Sequence, residues 1–183
     1  MNTKTIIGAL VGAILLFLWQ FLSWGIVNFH SGEQKYTVHQ DSILSMLSEK
    51  LDEGTYFLPS LPPNADQKAN EQYMKDNAGK PWAVVAYHKS MEADMSMNMI
   101  RAFVSDLLAM FILICLLMNV QELNFTKSLF FAIAIGLIGF LSVTYLNTIW
   151  FKNHAWASLL DVFASWGLVG AWLGWWLPRN SKK

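Results

Sequence analysis

Cysteine is almost absent: Cys115 stands alone among 183 residues. A single thiol cannot close an intrachain disulfide, and Cys115 lies in an apolar run, where it is expected to act as a small packing residue. Charge is scarce as well. Only 14% of the residues are Asp, Glu, Lys or Arg, against about 25% in an ordinary soluble domain. The net charge is zero, which gives no electrostatic reason to expect nucleic acid as a partner. Residues 31–97 carry no Gly-rich phosphate loop, internal repeat or low-complexity tract. His30, His39, His88 and His154 lack metal-ligand spacing with Cys or acidic neighbours, so no metal or other cofactor is expected. Ser105 and Ser165 have no accompanying base, which leaves no nucleophile. A non-catalytic protein is therefore expected.

What the sequence has is apolar residues, 54% of the chain, gathered into four blocks. The blocks run from about Ile6 to Val27, Met99 to Val120, Leu129 to Leu146 and Ala155 to Leu177, the last stopped by Pro178. Each approaches the roughly 20 residues that a helix needs to cross about 30 Å of hydrocarbon. The first is longer than the apolar region of a signal peptide, carries Trp19 and Trp24, and ends without an Ala-x-Ala site. It reads as an uncleaved anchor. The expected fold is a membrane all-α four-helix bundle, with a small α+β extracytoplasmic insertion between the first and second helices. Residues 1–30 form the first span, 31–97 the insertion, and 98–183 the remaining spans and tail.

Orientation follows from the short flanks. Lys4, Lys127, Arg179, Lys182 and Lys183 lie on one side, and Lys152 alone marks the short loop on the other. The positive-inside rule places both termini in the cytoplasm, as in a bacterial inner membrane, and residues 31–97 outside. Trp24, Trp150 and Trp156 then fall at the outer interface, with Trp175 and Trp176 at the inner one.

The insertion carries ten acidic and six basic side chains, net −4. Asp41 is the expected N-cap of a helix with Ile43, Leu44, Leu47 and Leu51 on one face and Gly54 as its stop. Thr55–Leu58 reads as a short strand closed by Pro59, Pro62 and Pro63. A polar helix over 65–77 and a strand over Trp82–His88 follow. Tyr56, Phe57 and Trp82 fill the small core in one reading and form a partner patch in the other. Met91, Met95, Met97 and Met99 read as helix-entry packing rather than a soft-metal strip.

In lipid, small residues and interhelical hydrogen bonds hold helices together. The candidate stripes are Ala9, Ala13 and Gln20 beside Gly8 and Gly12; Ala102, Asp106 and Ala109; Ala132, Gly136, Gly139, Val143 and Asn147; and Ala157, Asp161, Ala164 and Ala171. Two of these positions are carboxylates at matching depth: by helical rise, Asp106 and Asp161 lie about 10 Å below their helix ends. Arg101 is about 140° around its helix from Asp106, better placed for Asp161 than for its own neighbour. Gln20, Asn147, Tyr145, His30 and His154 share the same outer third. Ionisable groups at such depth face the interior or a cavity. One reading is a pocket for a lipid headgroup, a small ligand, a cation or a proton, with the two carboxylates able to share a proton. The other is an Arg101–Asp161 bridge that holds the helices in register.

The Gly-rich first span ending near Trp24 and His30 resembles that of a family of small, uncharacterised four-span bacterial membrane proteins. So do Gly54, Tyr56 and Pro59, the Ile149–Trp150–Phe151 run, Leu160–Asp161 and the closing Trp176–Leu177–Pro178. Lys152, Asn153 and His154 stand where that family's pattern leads one to expect a Gly- or Pro-containing turn. The resemblance implies the topology and draws attention to Asp161, but implies no mechanism. The function expected first is a membrane accessory or assembly subunit that meets a protein partner through its outer domain and its helices, with membrane lipid around it. The alternative is a small transporter or an ion- or lipid-binding protein that uses the polar pocket. A lipid-modifying enzyme ranks last.

Overall fold

The computed structural model describes residues 3–178. Arg179, Lys182 and Lys183, which contribute to the orientation reading, lie outside the described residues. Two compact units are present among the described residues, one formed by residues 3–35 and 94–178 and the other by residues 36–93.

The larger unit holds four helical stretches long and apolar enough to cross a membrane: Thr3–Ile26, Ser96–Met118, Phe125–Phe151 and Trp156–Trp176. Two of them are not uniform. The first is α1 (Thr3–Phe21) continued by a π-helical turn, Leu22–Ile26. The second stretch is α4 (Ser96–Met118). The third is α5 (Phe125–Gly139), a π-helical segment (Phe140–Tyr145) and α6 (Leu146–Phe151). The fourth is α7 (Trp156–Trp176). The third stretch is thus 27 residues long and exceeds the expected Leu129–Leu146 at both ends. Asn124 sets its start, because its side chain accepts a hydrogen bond from the Lys127 amide and caps the first turn.

Helix α1 lies against both α4 and α7, and α7 also lies against α5, whereas α4 and α5 barely touch. The sequence-adjacent second and third spans are therefore not the main packing pair. The buried core of this unit contains Ala9, Ala13 and Leu16 from α1, Met110, Leu113, Ile114 and Leu117 from α4, Ala132 from α5, and Val169 and Leu173 from α7. The first stripe is placed as expected. A Cβ on Gly12 would come within 2.8 Å of Met110 Sδ. The fourth is not. Its close approach to α5 is made by Gly170 and Gly174, where a Cβ would stand 2.9 Å from Leu129 Cα and from Phe125 Cα respectively. In the third, Gly136 meets Trp166, but Gly139 has open space beside it and Val143 is exposed. At the ends of α1 and α7 away from Trp19, Trp172 Nε1 donates to the Gly8 carbonyl at 3.1 Å and Trp176 Nε1 to the Lys4 carbonyl at 2.9 Å. Trp176 is therefore half-buried and paired rather than a simple interfacial anchor.

The smaller unit carries α2 (Gln40–Lys50), β1 (Gly54–Leu58), α3 (Gln67–Asn77) and β2 (Ala83–Tyr87). The strands pair antiparallel with Tyr56 opposite Val85. Asp66 caps α3 by accepting from the Ala69 amide at 2.8 Å. Asp41 is not a cap: α2 starts at Gln40, which puts Asp41 inside the first turn. There its charge still complements the helix dipole. Gly54 opens β1 instead of stopping α2. Phe57 and Trp82 stack on each other, yet both remain exposed, so this pair does not fill a core. Helix α2 buries none of its residues.

Candidate functional site

Asp161 is the best-connected polar residue among those described. Its Oδ1 accepts from Trp19 Nε1 at 2.9 Å and from Ser23 Oγ at 2.6 Å, and its Oδ2 faces His30 Nε2 at 2.8 Å. The sequence supplies these donors from one short stretch. Trp19 sits on the last turn of α1, and the π-turn that follows carries Ser23, fully buried, and Trp24. Asn28 then takes a left-handed conformation at φ 55°, one that Asn tolerates better than most residues. The chain reverses into a single 3-10 turn, Phe29–Gly32, which returns His30 to Asp161. The imidazole stacks on the Trp24 ring at 3.9 Å and 4°. Its Nδ1 stands 3.0 Å from Glu33 Oε1, at ion-pair distance but without hydrogen-bond alignment.

His30 is 3% exposed. Burial works against its charge, but the contacts with Asp161 and Glu33 outweigh that penalty and raise its pKa above the usual imidazole value. The linkage has a definite sign. With the folded value raised, the stability from His30 is complete below the unfolded value of about 6.5 and disappears as pH rises through the folded value. The thermal midpoint of the wild-type protein in detergent should therefore fall as pH is raised from about 6 upward, and His30→Gln should flatten that slope. Parallel profiles for the two proteins would rule out this role for His30.

Asp106 is held separately. Gln20 Nε2 donates to its Oδ1 at 3.0 Å, and its Oδ2 is buried without a hydrogen-bond partner among the described residues. Trp19 and Gln20 are consecutive on α1, so neighbouring side chains of the central helix engage carboxylates on α7 and α4. Asp106 and Asp161 share no hydrogen-bond partner among the described residues, so each carboxylate is held by its own set rather than by the other. The Arg101–Asp161 bridge is not formed either: three side chains already occupy Asp161, and Arg101 is exposed with no acidic partner among the described residues. A helix-to-helix bridge from the Arg101 position loses to donors that the π-turn and reversal bring much closer.

Asn147 and His154 belong to a third place, a cavity of about 700 Å³. Its walls are the turn over residues 32–35, the Val143–Thr148 part of the third span, the loop over residues 152–154 and Ser158 of α7. A second hollow of about 470 Å³ adjoins it, lined by Leu137, Phe140, Leu141, Tyr145, Trp156 and Leu159. The two share Thr148, Asn153 and His154. Glu33 links the cavity to the buried set, since it lines the cavity and faces His30. The expected single polar cluster is thus three arrangements: the His30–Asp161 knot, the Gln20–Asp106 pair, and an open cavity with Asn147 and His154. Trp19, Ser23 and Glu33 were missed by sequence reasoning. The signal available was the Trp-x-x-x-Ser spacing, which puts both donors on one helical face. Neither family models, nor curated proteins, nor solved structures compared with the chain gave a match.

Proposed function

We propose that this chain is a non-catalytic integral membrane protein that binds a membrane amphiphile at the extracytoplasmic end of its helices. In this reading the spans form one bundle in a bacterial inner membrane, with both termini cytoplasmic. The observation that carries it is the join between a polar cavity and an apolar groove at Thr148, Asn153 and His154. An amphiphile needs that pairing, a wet recess for its head beside an apolar track for its chain. The two volumes, about 700 and 470 Å³, fall in the range usual for small-molecule sites. The π-helical segment Phe140–Tyr145 lines both hollows, and such segments recur at functional sites. Transport through Asp161 fits less well, because its carboxylate is taken up by three donors that fasten α1 to α7. Kinship with the small four-span bacterial proteins is part of the proposal and rests on the residues named for it.

The test is affinity purification of the full chain from its native membrane in mild detergent, with mass spectrometry of what comes with it. A retained amphiphile is expected, depleted at least about tenfold by Thr148→Trp, which fills the junction (about 1.4 kcal/mol or more). Retention no higher than that of an unrelated membrane protein would end this reading.

The exposed helix α2 favours a second reading, an accessory or assembly subunit. Its Ile43, Leu44 and Met46 are exposed and the helix buries nothing, as on a surface that a protein partner covers. A stoichiometric protein in the same purification, lost from Leu44→Lys, supports it. An unaltered lone chain in both purifications rejects it.

A further inference from the structure

We infer that the occupant of the joined cavities is an anionic phospholipid, its phosphate held by Lys35 and Lys152. This rests on the amphiphile reading and specifies its chemistry.

Charge complementarity is the first ground. The polar cavity is lined by two lysines, Lys35 and Lys152, and by one carboxylate, Glu33. Glu33 is turned to His30, 3.0 Å away. Neither lysine has an acidic partner among the described residues, and with Glu33 counted against the two lysines the lining keeps a net positive charge. Asn147 and Asn153 add amide donors, and Ser158 adds a hydroxyl. A phosphodiester takes up such a set of donors, whereas a choline headgroup brings its own cation next to two ammonium groups.

The backbone supplies the second ground. Lys152 has φ 53°, in the left-handed region. That conformation suits Gly, Asn or Asp, and a lysine there costs stability. Non-glycine residues in this region gather at binding sites, where the surrounding structure tolerates their strain. Gly would make the turn at less cost and would remove the cation. The third ground is the neighbouring groove: Leu141 and Leu159 extend the path from the polar wall along apolar side chains, which a free phosphate would leave unused.

The experiment uses the full chain in detergent micelles, with native mass spectrometry after titration with phosphatidylglycerol, phosphatidylcholine or inorganic phosphate. The wild-type protein should retain phosphatidylglycerol at least tenfold better than phosphatidylcholine. A cation near an anionic headgroup supports roughly a fivefold preference, so Lys152→Gly and Lys35→Gln should each lose about that factor. Lys152→Gly should do so with an unchanged or higher thermal midpoint, which separates loss of the charge from loss of the fold. Equal retention of the two lipids would overturn this inference and leave the amphiphile reading standing. Retention of neither would remove both. Inorganic phosphate that competes at the same concentration as phosphatidylglycerol would show that the groove contributes nothing, and would overturn the lipid as the source of the phosphate.

Discussion

Asp161→Ala should lower the stability of the folded protein by about 2–4 kcal/mol. The change strands three donors at once: Trp19 Nε1, Ser23 Oγ and His30 Nε2. A side-chain hydrogen bond between membrane helices is worth about 0.6 kcal/mol on average and up to about 1.7. Leaving the partner of a buried ion pair behind adds a cost of its own. Asp161→Asn tests the parts separately. Its amide oxygen can still accept from Trp19 and Ser23, but it carries no charge for the imidazolium, so a loss of about 1 kcal/mol is expected, together with a weaker pH dependence at His30, where Glu33 still favours the charged form. Reversible unfolding in mixed micelles measures both. If Asp161→Ala unfolds like the wild-type protein, α1 and α7 are not fastened at this point.

Gly170→Val should be as damaging, at about 2–4 kcal/mol, for a different reason. A Cβ at Gly170 would lie 2.9 Å from Leu129 Cα, and one at Gly174 would lie 2.9 Å from Phe125 Cα. Both obstacles are backbone, which no rotamer change can move aside, so α5 must back away from α7 along its length. Overpacking costs about 1–3 kcal/mol and occasionally more, and lost interhelical packing adds to it. Gly139 and Gly167 are the internal control, since no atom lies within 4 Å of a Cβ built there. Val at either should stay within about 0.5 kcal/mol of the wild-type protein. Equal effects at Gly167 and Gly170 would mean that helix propensity, not the α5–α7 contact, governs the result.

The apolar blocks announced the four helices long and apolar enough to cross a membrane, because length and hydropathy are local properties of the chain. Short elements with a local signal were also legible: β1 and β2 lie where strands were expected over Thr55–Leu58 and Trp82–His88, and α3 falls within the polar helix expected over 65–77. Helix neighbours were not, because the order of contact depends on which faces match. Ala171 and Gly170 look equally small in the sequence, and only the position of α5 makes Gly170 the one that matters. The site was legible in its parts and not in its connections. Asp161, His30 and Gln20 stand out as polar groups in or beside apolar spans, but two features that pattern reading does not reveal decide their partners. One is the π-turn at Leu22–Ile26, and the other is the reversal at Asn28. Together they return His30 to α7 and leave Arg101 outside. Lys152 shows the same point from the other side: its left-handed backbone agrees with the expected Gly-containing turn, yet the side chain there is a cation.

The most direct measurement is photo-crosslinking of the full chain, reconstituted in vesicles, with a phosphatidylglycerol that carries a diazirine in its acyl chain, followed by peptide mapping. Adducts should concentrate on the lining of the apolar groove, at Leu137, Leu141, Tyr145 and Leu159, and should fall when Thr148→Trp closes the junction. Adducts spread evenly over the lipid-facing residues of all four spans, unchanged by Thr148→Trp, would contradict a lipid site at these cavities.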